Sequence, residues 1–312
     1  MRILITGGAG FIASHIADRF LELGHDVAVL DNLSTGLRVN LNPRARFFEI
    51  DLLDAERVAA AVAEFRPEIV DHHAAQIDVR RSVEDPIFDA RTNVLGGISL
   101  LEACVRHGVR KVIYASTGGA LYGEGRTLPA DEDHPVNPES PYGISKHTLE
   151  HYLYFYGLVH GLEYTVLRYP NVFGPRQNPH GEAGVNAIFI GLMVAGKAPT
   201  IYGDGEQIRD YIYVGDVVRA NELALDRGPG AVVNLGWGRG VSVNQIFARL
   251  KALLDFPGEA VHGPRRAGEV ERIYLDAARA REVLGWTPEV TLEDGLVRTL
   301  EWYRAARAAG ER

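Results

Sequence analysis

The sequence predicts an α/β protein built on a doubly wound parallel sheet, followed by a second, smaller mixed α/β lobe. Two observations predict this class. Short β-branched runs alternate with stretches of helical period through the first half of the chain, and parallel strands need such crossover connections. The alternation stops after Arg168, where loop-like segments and helices follow. The chain of 312 residues is long enough for two domains.

The strand-like runs and helical stretches follow one another in a regular order. In the first half the runs cover residues 3–5, 27–30, 47–50, 69–70, 112–114 and 164–167, and the main helical stretches cover 12–23, 55–65 and 94–106. The second half contains a loop at 170–184, a helix at 187–195, a turn at 203–206, a strand at 232–235 and helices at 243–254, 276–284 and 292–309. We therefore expect residues 1–169 plus about 210–238 to form the sheet domain, and 170–209 plus about 239–312 to form the smaller lobe.

Composition and charge exclude several classes of protein. A hydrophobic fraction of 46% with 24% charged residues is typical of a globular protein, and a net charge of -8 provides no global attraction for nucleic acid or an anionic membrane. No run of 18 apolar residues occurs, and the chain enters a strand-like run at once, without the pattern of a signal peptide. Cys104 is the only cysteine and cannot form an internal disulfide. We expect a cytoplasmic protein with no nucleic-acid or membrane partner.

A glycine-rich turn lies between the first strand and the first helix. Gly7 and Gly10 precede Phe11 and Ile12, so backbone N–H groups and the positive end of the helix can meet a pyrophosphate. Asp31 ends the second strand, 21 positions after Gly10, where an acid binds the ribose diol. A 2′-phosphate would meet that carboxylate, so NAD is favoured over NADP. The alternative is that the glycines serve only the turn.

Asp51 and Leu52 follow the third strand as further candidates. The Asp51 carboxylate would suit a bond from an adenine amino group, and a helix N-cap is the alternative interpretation. Ala13 replaces the third glycine of the dinucleotide-binding pattern, a position needed for close helix–strand packing, where one methyl group is tolerable.

Tyr142 and Lys146 lie four residues apart on a helix entered through Pro141, so a phenol and an ammonium share one face. A tyrosine with an ordinary pKa of about 10 becomes a base near neutrality only when nearby positive charge stabilises the phenolate, which Lys146 and an oxidised nicotinamide would supply. Ser116 and Thr117 end the preceding long strand at the edge where ligands bind open α/β sheets. These four side chains form the candidate catalytic site; ordinary helix surface is the alternative for Tyr142 or Lys146 alone.

An ordered series of motifs resembles the extended short-chain dehydrogenase/reductase family. It spans the chain from Arg2 to about Leu296 and consists of TGGAGFIAS, DNLSTG, HHAAQIDVRRSV, ASTGGALYG, PYGISK, LRYPNVFGPRQ, GDGEQIRDYIYVGD and RRAGEVER. Within the family, the series is most similar to the enzymes that interconvert UDP-glucose and UDP-galactose. The resemblance implies a Rossmann domain with bound NAD, a lobe that binds a UDP-hexose, and inversion at the hexose C4 through a 4-keto intermediate.

The same resemblance implies a role for each matched residue. Tyr142 would be the base, Lys146 its electrostatic partner and a holder of the nicotinamide ribose, and Thr117, with Ser116, would face the sugar 4-OH. The residues implied at the cofactor are Gly7, Gly10, Phe11, Ile12, Asp31, Asn32, Asp51, Leu52, Ala74, Asn93, Tyr142 and Lys146. The residues implied at the substrate are Thr117, Tyr142, Asn171, Ile201, Tyr202, Arg209, Arg266, Glu269 and Ile273.

The resemblance has further implications for the arginines, for the glycines after Thr117 and for Ile273. Arg209 and Arg266 would bind the pyrophosphate, and solvated surface charges are the alternative. Gly118 stands where many of the related epimerases have a catalytic serine, which assigns that role to Thr117. The related 4,6-dehydratases have Asp-Glu after this threonine, so the glycines here imply no means of eliminating water. Ile273 replaces a bulkier residue that restricts the sugar 2-substituent, and our hypothesis is that N-acetylated sugars are admitted.

Other functions stay open on the sequence alone. The chain could epimerise UDP-N-acetylhexosamines or UDP-uronic acids, or act as a reductase, which net consumption of NADH would reveal. A catalytically silent NAD-binding sensor belongs to a different class, and the Tyr142–Lys146 pair disfavours it. His72, His73 and His180 lack the spacing that zinc needs, so no metal site is predicted.

The helix that contains Tyr142 continues through an aromatic stretch at 151–156 that surrounds most of its circumference, as expected for a helix covered on both faces. The family resemblance implies a homodimer in which this helix and the 94–106 helix form a two-fold bundle. Burial within one subunit is the alternative.

Overall fold

The structure, a computed structural model, describes residues 1–179, 184–265 and 270–308. The strands of the first half are β1 (Arg2–Thr6), β2 (Asp26–Asp31), β3 (Arg46–Glu49), β4 (Ile69–His72), β5 (Lys111–Thr117) and β6 (Glu163–Tyr169). The helices are α1 (Phe11–Glu22), α2 (Ala55–Phe65), α3 (Val79–Glu84), α4 (Pro86–Ala90), α5 (Gly96–Arg106) and α6 (Pro141–His160), with a 3-10 turn at Arg38–Asn40 and a π-helical turn at Arg91–Leu95. The predicted elements of this half are confirmed, with ends that shift by up to three residues.

The second half is less regular, as the loss of alternation predicted. Its strands are β7 (Asn171–Phe173), β8 (Thr200–Tyr202), β9 (Ile208–Arg209), β10 (Tyr211–Tyr213), β11 (Ala231–Asn234), β12 (Val241–Ser242), β13 (Val261–Gly263) and β14 (Arg272–Ile273). Its helices are α7 (Val185–Val194), α8 (Val214–Ala224), α9 (Val243–Leu254), α10 (Ala278–Leu284) and α11 (Leu292–Ala308). The expectation of an uninterrupted loop at 170–184 is wrong at residues 171–173, because β7 forms there and pairs in parallel with β10.

Seven strands form one parallel sheet in the order β11-β6-β5-β4-β1-β2-β3. The strand order reverses between β1 and β4, and open α/β sheets bind ligands outside the carboxyl ends of the strands at such a switch point. The doubly wound fold is confirmed. Strand β11 returns from the second half of the chain and pairs with β6, while the domain boundaries stay a prediction.

Successive side chains of each strand point to opposite faces of the sheet and pack in two separate cores. In β1, Ile3 and Ile5 pack with α1 and α8, whereas Leu4 packs with α2, α5 and α6 on the other face. Because both faces are covered, these strands are apolar throughout rather than alternating. A third core lies between α7, α9 and α11 in the smaller lobe. Within the described ranges no helix is both long and apolar enough to cross a membrane.

Candidate active site

A cleft opens at the carboxyl ends of the sheet strands, beside the switch point. Its lining includes every residue predicted at the cofactor except Asn93. Those lining residues are Gly7, Gly10, Phe11, Ile12, Asp31, Asn32, Asp51, Leu52, Ala74, Tyr142 and Lys146. The fold therefore brings five separate segments of the sequence into one cleft.

The glycine turn provides a cradle that side chains would fill. Gly7 has a φ of +72°, and a Cβ atom there would lie 2.7 Å from the backbone nitrogen of Ala74. Gly10 occupies the N-cap position of α1, where no side chain caps the helix. This arrangement leaves the positive end of α1 open to an anion, so it fits the pyrophosphate of a dinucleotide.

Asp31 is held at the end of β2 by the backbone. Its Oδ2 atom accepts a hydrogen bond from the Ala9 N–H at 3.0 Å, and its Oδ1 atom accepts one from the Leu33 N–H at 2.7 Å. Burial raises the pKa of Asp31, and these two bonds oppose that rise. Each oxygen keeps a second lone pair, so the carboxylate fits a ribose diol as well.

Asn32 and Asp51 meet at the rim of the cleft. The Asn32 side-chain amide donates to Asp51 Oδ2 at 2.8 Å. The alternative interpretation of Asp51 as a helix N-cap is wrong, because Asp54 caps α2 and accepts a hydrogen bond from the Arg57 N–H at 3.1 Å.

Tyr142 lies in the first turn of α6, which begins at Pro141 with Ser140 as its N-cap. The side chain of Tyr142 is hydrogen-bonded to that of Thr117, at the end of β5. Burial raises the pKa of Tyr142, Asp89 raises it further, and the bond with Thr117 opposes both effects. The expectation that Lys146 and an oxidised nicotinamide together lower this pKa stays a prediction.

Lys146 is buried one turn further along α6. Its Nζ atom lies 4.7 Å from the centroid of the Tyr114 ring. Burial lowers the pKa of Lys146 to about 8, although Asp89 and Glu150 act in the opposite direction. The ammonium is therefore still mostly protonated at neutral pH.

Ser116 and Thr117 point to different partners although they are adjacent. The Ser116 hydroxyl donates to Glu150 Oε1 at 2.5 Å. Glu150 also accepts two hydrogen bonds from the Arg168 guanidinium, at 2.6 and 3.0 Å. Thr117 is thus the hydroxyl that meets Tyr142, while Ser116 joins a buried ionic network.

The glycines after Thr117 lie among close neighbours. A Cβ atom at Gly118 would collide with the Leu275 side chain, whereas one at Gly119 would lie 3.5 Å from Asn171 Oδ1 and 4.0 Å from Thr117 Oγ1. The space next to Gly119 is therefore bounded by Thr117 and by Asn171 at the start of β7.

Comparisons with known proteins show the family of the chain. A profile of the NAD dependent epimerase/dehydratase family matches residues 3–236. The chain belongs to this family. Its cofactor is NAD, the resemblance to the extended short-chain dehydrogenases/reductases is confirmed, and the chain is an NAD-dependent enzyme.

Three solved structures of this epimerase/dehydratase family share the fold over nearly the whole chain. The UDP-glucose 4-epimerase of Thermotoga maritima with UDP-glucose is 50% identical, with a TM-score of 0.97 over 98% of this chain and 100% of that chain. The UDP-glucose 4-epimerase of Thermus thermophilus in complex with NAD is 46% identical, with a TM-score of 0.94 over the same shares. A UDP-N-acetylglucosamine 4-epimerase from Methanobrevibacter ruminantium, in complex with UDP-N-acetylmuramic acid, is 32% identical, with a TM-score of 0.92 over 97% of this chain and 98% of that chain.

Four of the remaining residues that the family resemblance implies at the substrate lie on the smaller strands. Arg209 on β9 and Ile273 on β14 are register partners, so the fold places them side by side. The Arg209 guanidinium donates to the Val270 carbonyl at 2.6 Å. Ile273 is buried against Leu121, Tyr122 and Leu275.

Ile201 and Tyr202 belong to β8, which pairs with β13. Ile201 is buried in the core of the smaller lobe, and Tyr202 is 36% exposed. Arg266 and Glu269 lie outside the described residues.

Asn93 lies next to the cleft and holds one of its lining segments by hydrogen bonds. It is buried in the π-helical turn, donates to the Gln76 carbonyl at 2.9 Å and accepts from the Gln76 N–H at 2.8 Å. These bonds anchor the segment that begins with Ala74 and Ala75, two lining residues. The structure therefore shows Asn93 in contact with a cleft-lining segment and not in the lining itself.

Two lining residues, His73 and Tyr169, were not predicted at the site. His73 Nε2 lies 3.1 Å from the Tyr169 hydroxyl, and its Nδ1 lies 3.1 Å from the buried carboxylate of Asp71. His73 thus packs against Tyr169 and also lines the cleft. Its position directly after β4, at the ligand-binding edge, was the signal that could have revealed it. His72 is buried against Thr6, and His180 lies outside the described residues.

Proposed function

We propose that the chain is a 4-epimerase that interconverts UDP-glucose and UDP-galactose. The observation that carries this proposal is the position of Tyr142, in contact with Thr117, in the lining of the cleft that also contains the glycine turn and Asp31. A phenol and a hydroxyl at this point can both form a hydrogen bond with the same hydroxyl group of a sugar. A cytoplasmic location belongs to the same proposal, since Cys104 is a buried free thiol.

The chemistry assigns each group a task. Bound NAD supplies a hydride acceptor and donor for the hexose C4 and, when oxidised, a positive charge. Tyr142 Oη removes the proton from the 4-OH and returns it after the ketone is reduced. Thr117 Oγ1 orients the 4-OH against that oxygen, and the Lys146 ammonium contributes positive charge on the same helix face. Positive charge is needed because burial raises the pKa of Tyr142.

The substrate must be held firmly at its nucleotide and loosely at its sugar. We assign Asn171 and Arg209, together with Arg266 and Glu269, to the firm binding of the nucleotide. To the loose binding of the sugar we assign the small residues after Thr117, where Gly119 places no side chain between Thr117 and Asn171. Without a carboxylate at these glycines, the 4-ketose has no acid–base pair for losing water.

The test is equilibrium sugar analysis of purified protein incubated separately with UDP-galactose, UDP-N-acetylglucosamine and UDP-glucuronate. We expect UDP-galactose to reach a mixture with UDP-glucose without net formation of NADH. Net use of NADH would identify a reductase. Three unchanged sugars would identify a silent NAD-binding protein.

A second candidate substrate is a UDP-N-acetylhexosamine. It is supported by the modest size of Ile273 and by the 32% identical UDP-N-acetylglucosamine 4-epimerase. Conversion of UDP-N-acetylglucosamine as fast as UDP-galactose would support it, and acceptance of UDP-galactose alone would contradict it.

A further inference from the structure

Asp89 is a fully buried carboxylate next to the helix that carries Tyr142 and Lys146. It belongs to α4, which packs against α6, and its side chain has no exposed surface. A buried carboxylate is usually paired with a cation. The charged side chains of the adjoining α3 and π-helical turn are instead exposed to solvent: Arg80, Arg81, Glu84 and Arg91.

In the described ranges, the side chains that bind Asp89 are neutral. The Ser145 hydroxyl donates to Oδ2 at 2.7 Å. The side-chain amides of Asn93 and Gln76 donate to Oδ1 at 3.0 and 3.1 Å. A carboxyl group that accepts on both oxygens is in its ionised form, which is an acceptor only. Asp89 therefore brings a negative charge into the interior of the protein.

These hydrogen bonds connect Asp89 to two parts of the cleft. Ser145 directly precedes Lys146 on α6 and follows Tyr142 by three positions. Asn93 holds a cleft-lining segment by the hydrogen bonds described above. The carboxylate thus joins the first turns of α6 to the segment that lines the cofactor side of the cleft.

The charge of Asp89 acts on both members of the Tyr142–Lys146 pair. Burial lowers the pKa of Lys146 to about 8, and Asp89 opposes this fall, followed by Glu150. Burial raises the pKa of Tyr142, and Asp89 raises it further. The buried carboxylate therefore favours the protonated form of both groups.

Other titratable groups face the pair from neighbouring elements. The Tyr114 ring on β5 lies 4.7 Å from the Lys146 ammonium. His72 on β4 is neutral, because burial and the charge of Lys146 lower its pKa to about 3. Glu150 on α6 is paired with Arg168. Of the two carboxylates that act on the ammonium, the one in α4 is thus the one that has no arginine partner among the described residues.

We propose that Asp89 is a positioning residue, which sets the protonation of the Tyr142–Lys146 pair through its charge and fixes the first turns of α6 through Ser145. This role rests on the proposed function, because it concerns the groups that we assign as the base and its electrostatic partner.

The test is the pH dependence of kcat for UDP-galactose in NAD-loaded Asp89→Asn, which removes the charge and keeps the size of the side chain. Ionisation of Tyr142 limits the rate on the acid side of the profile, and loss of the Lys146 proton limits it on the alkaline side. Because the carboxylate raises both pKa values, we expect both limbs to move to lower pH in Asp89→Asn, each by about one unit.

Two further variants separate charge from structure. Asp85→Asn removes an exposed carboxylate from the N-cap of α4, where asparagine caps equally well, and is the matched control with unmoved limbs. Ser145→Ala removes one hydrogen bond and keeps the charge of Asp89, so kcat can fall while both limbs stay in place. Unmoved limbs in Asp89→Asn would overturn the proposal, as would an equal movement in Ser145→Ala.

A titration without sugar distinguishes failure of this role from failure of the proposed function. The phenolate absorbance of each NAD-loaded protein, measured against its own Tyr142→Phe form, reports the ionisation of Tyr142 alone. We expect a lower midpoint in Asp89→Asn than in the wild type, whether or not UDP-galactose is converted. An unchanged midpoint would overturn the proposal even in an active epimerase. Asp89→Ser, which is also neutral, takes the same measurement if circular dichroism shows that Asp89→Asn is unfolded.

Discussion

At the scale of single residues, the phenol that we assign as the base is kept neutral by the protein around it. Burial and the charge of Asp89 both raise the pKa of Tyr142, and only the bond with Thr117 opposes them. Because Lys146 has a pKa of about 8, it keeps most of its charge at neutral pH. Ionisation of the phenol therefore needs positive charge nearby, which Lys146 and an oxidised nicotinamide would supply.

Replacing Tyr142 by phenylalanine tests the assignment. We expect Tyr142→Phe to lower kcat for UDP-galactose by about 10²–10⁴-fold, the usual contribution of a positioned acid–base group. Bound NAD, measured after extraction, should stay at the wild-type level because the glycine turn and Asp31 are unchanged. Tyr154→Phe removes a hydroxyl from an exposed tyrosine of the same helix and should leave kcat unchanged. An unchanged kcat in Tyr142→Phe would refute the assignment.

The residues that could be predicted from sequence are those whose chemistry is local. The glycine turn, Asp31 and the Tyr142–Lys146 pair are defined by spacing along the chain, and all of them line the cleft. The separate partners of Ser116 and Thr117 depend on Glu150 and Tyr142, which are distant in sequence, and no local pattern reports that geometry.

At the scale of elements, hydrophobic periodicity predicts only helices and strands that are long enough to repeat the pattern. The strands β1 to β6 and most of the longer helices were predicted, since each contains enough residues to show a pattern, but α8, with 11 residues, was missed. Strands of two or three residues show none. Strand β9, for example, exists because Arg209 pairs with Val241 on one side and with Ile273 on the other.

Glu150 connects three elements, and its charge should therefore matter for stability. It lies on α6, accepts from Ser116 on β5 and pairs with Arg168 on β6. Burial raises the pKa of Glu150, but the hydrogen bonds from His147, Arg168 and Ser116 and the charge of Arg168 outweigh it and lower the pKa to about 2. The folded value lies below the ordinary value of 4.5, so the stabilisation is complete above pH 4.5 and is lost as the pH falls towards 2.

We expect Glu150→Gln to lower the free energy of unfolding at pH 7 by about 3–5 kcal/mol, because it leaves the Arg168 charge buried without its partner. Urea unfolding at pH 7, 4.5 and 3 measures this, and the difference from the wild type should shrink at the lowest pH. Glu163→Gln breaks the exposed pair with Arg110 and should cost no more than about 1 kcal/mol. A difference that grows as the pH falls would contradict the assigned pKa direction.

At the scale of the whole molecule, α6 has one face that the chain itself leaves uncovered. Its inner face packs in the sheet core through Leu149, Leu153 and Tyr156. The outer face is apolar and exposed at Ile144, Tyr154, Phe155, Leu158 and Val159. The expectation that the helix is covered on both faces is therefore not met within one subunit, so burial inside a single subunit does not explain its composition.

We propose that this face forms a two-fold homodimer together with α5, which contacts α6 through Tyr156 and Glu102. A symmetric pairing buries the same apolar face on both copies and removes a patch that monomeric proteins rarely expose. Light scattering should give twice the 34.3 kDa chain mass for the wild type and 34.3 kDa for Phe155→Glu combined with Leu158→Glu, because a carboxylate at each position would lose its hydration in the interface. Val39→Glu changes an exposed apolar side chain far from α6 and should stay dimeric. A wild type that scatters as a single chain would rule out this interface.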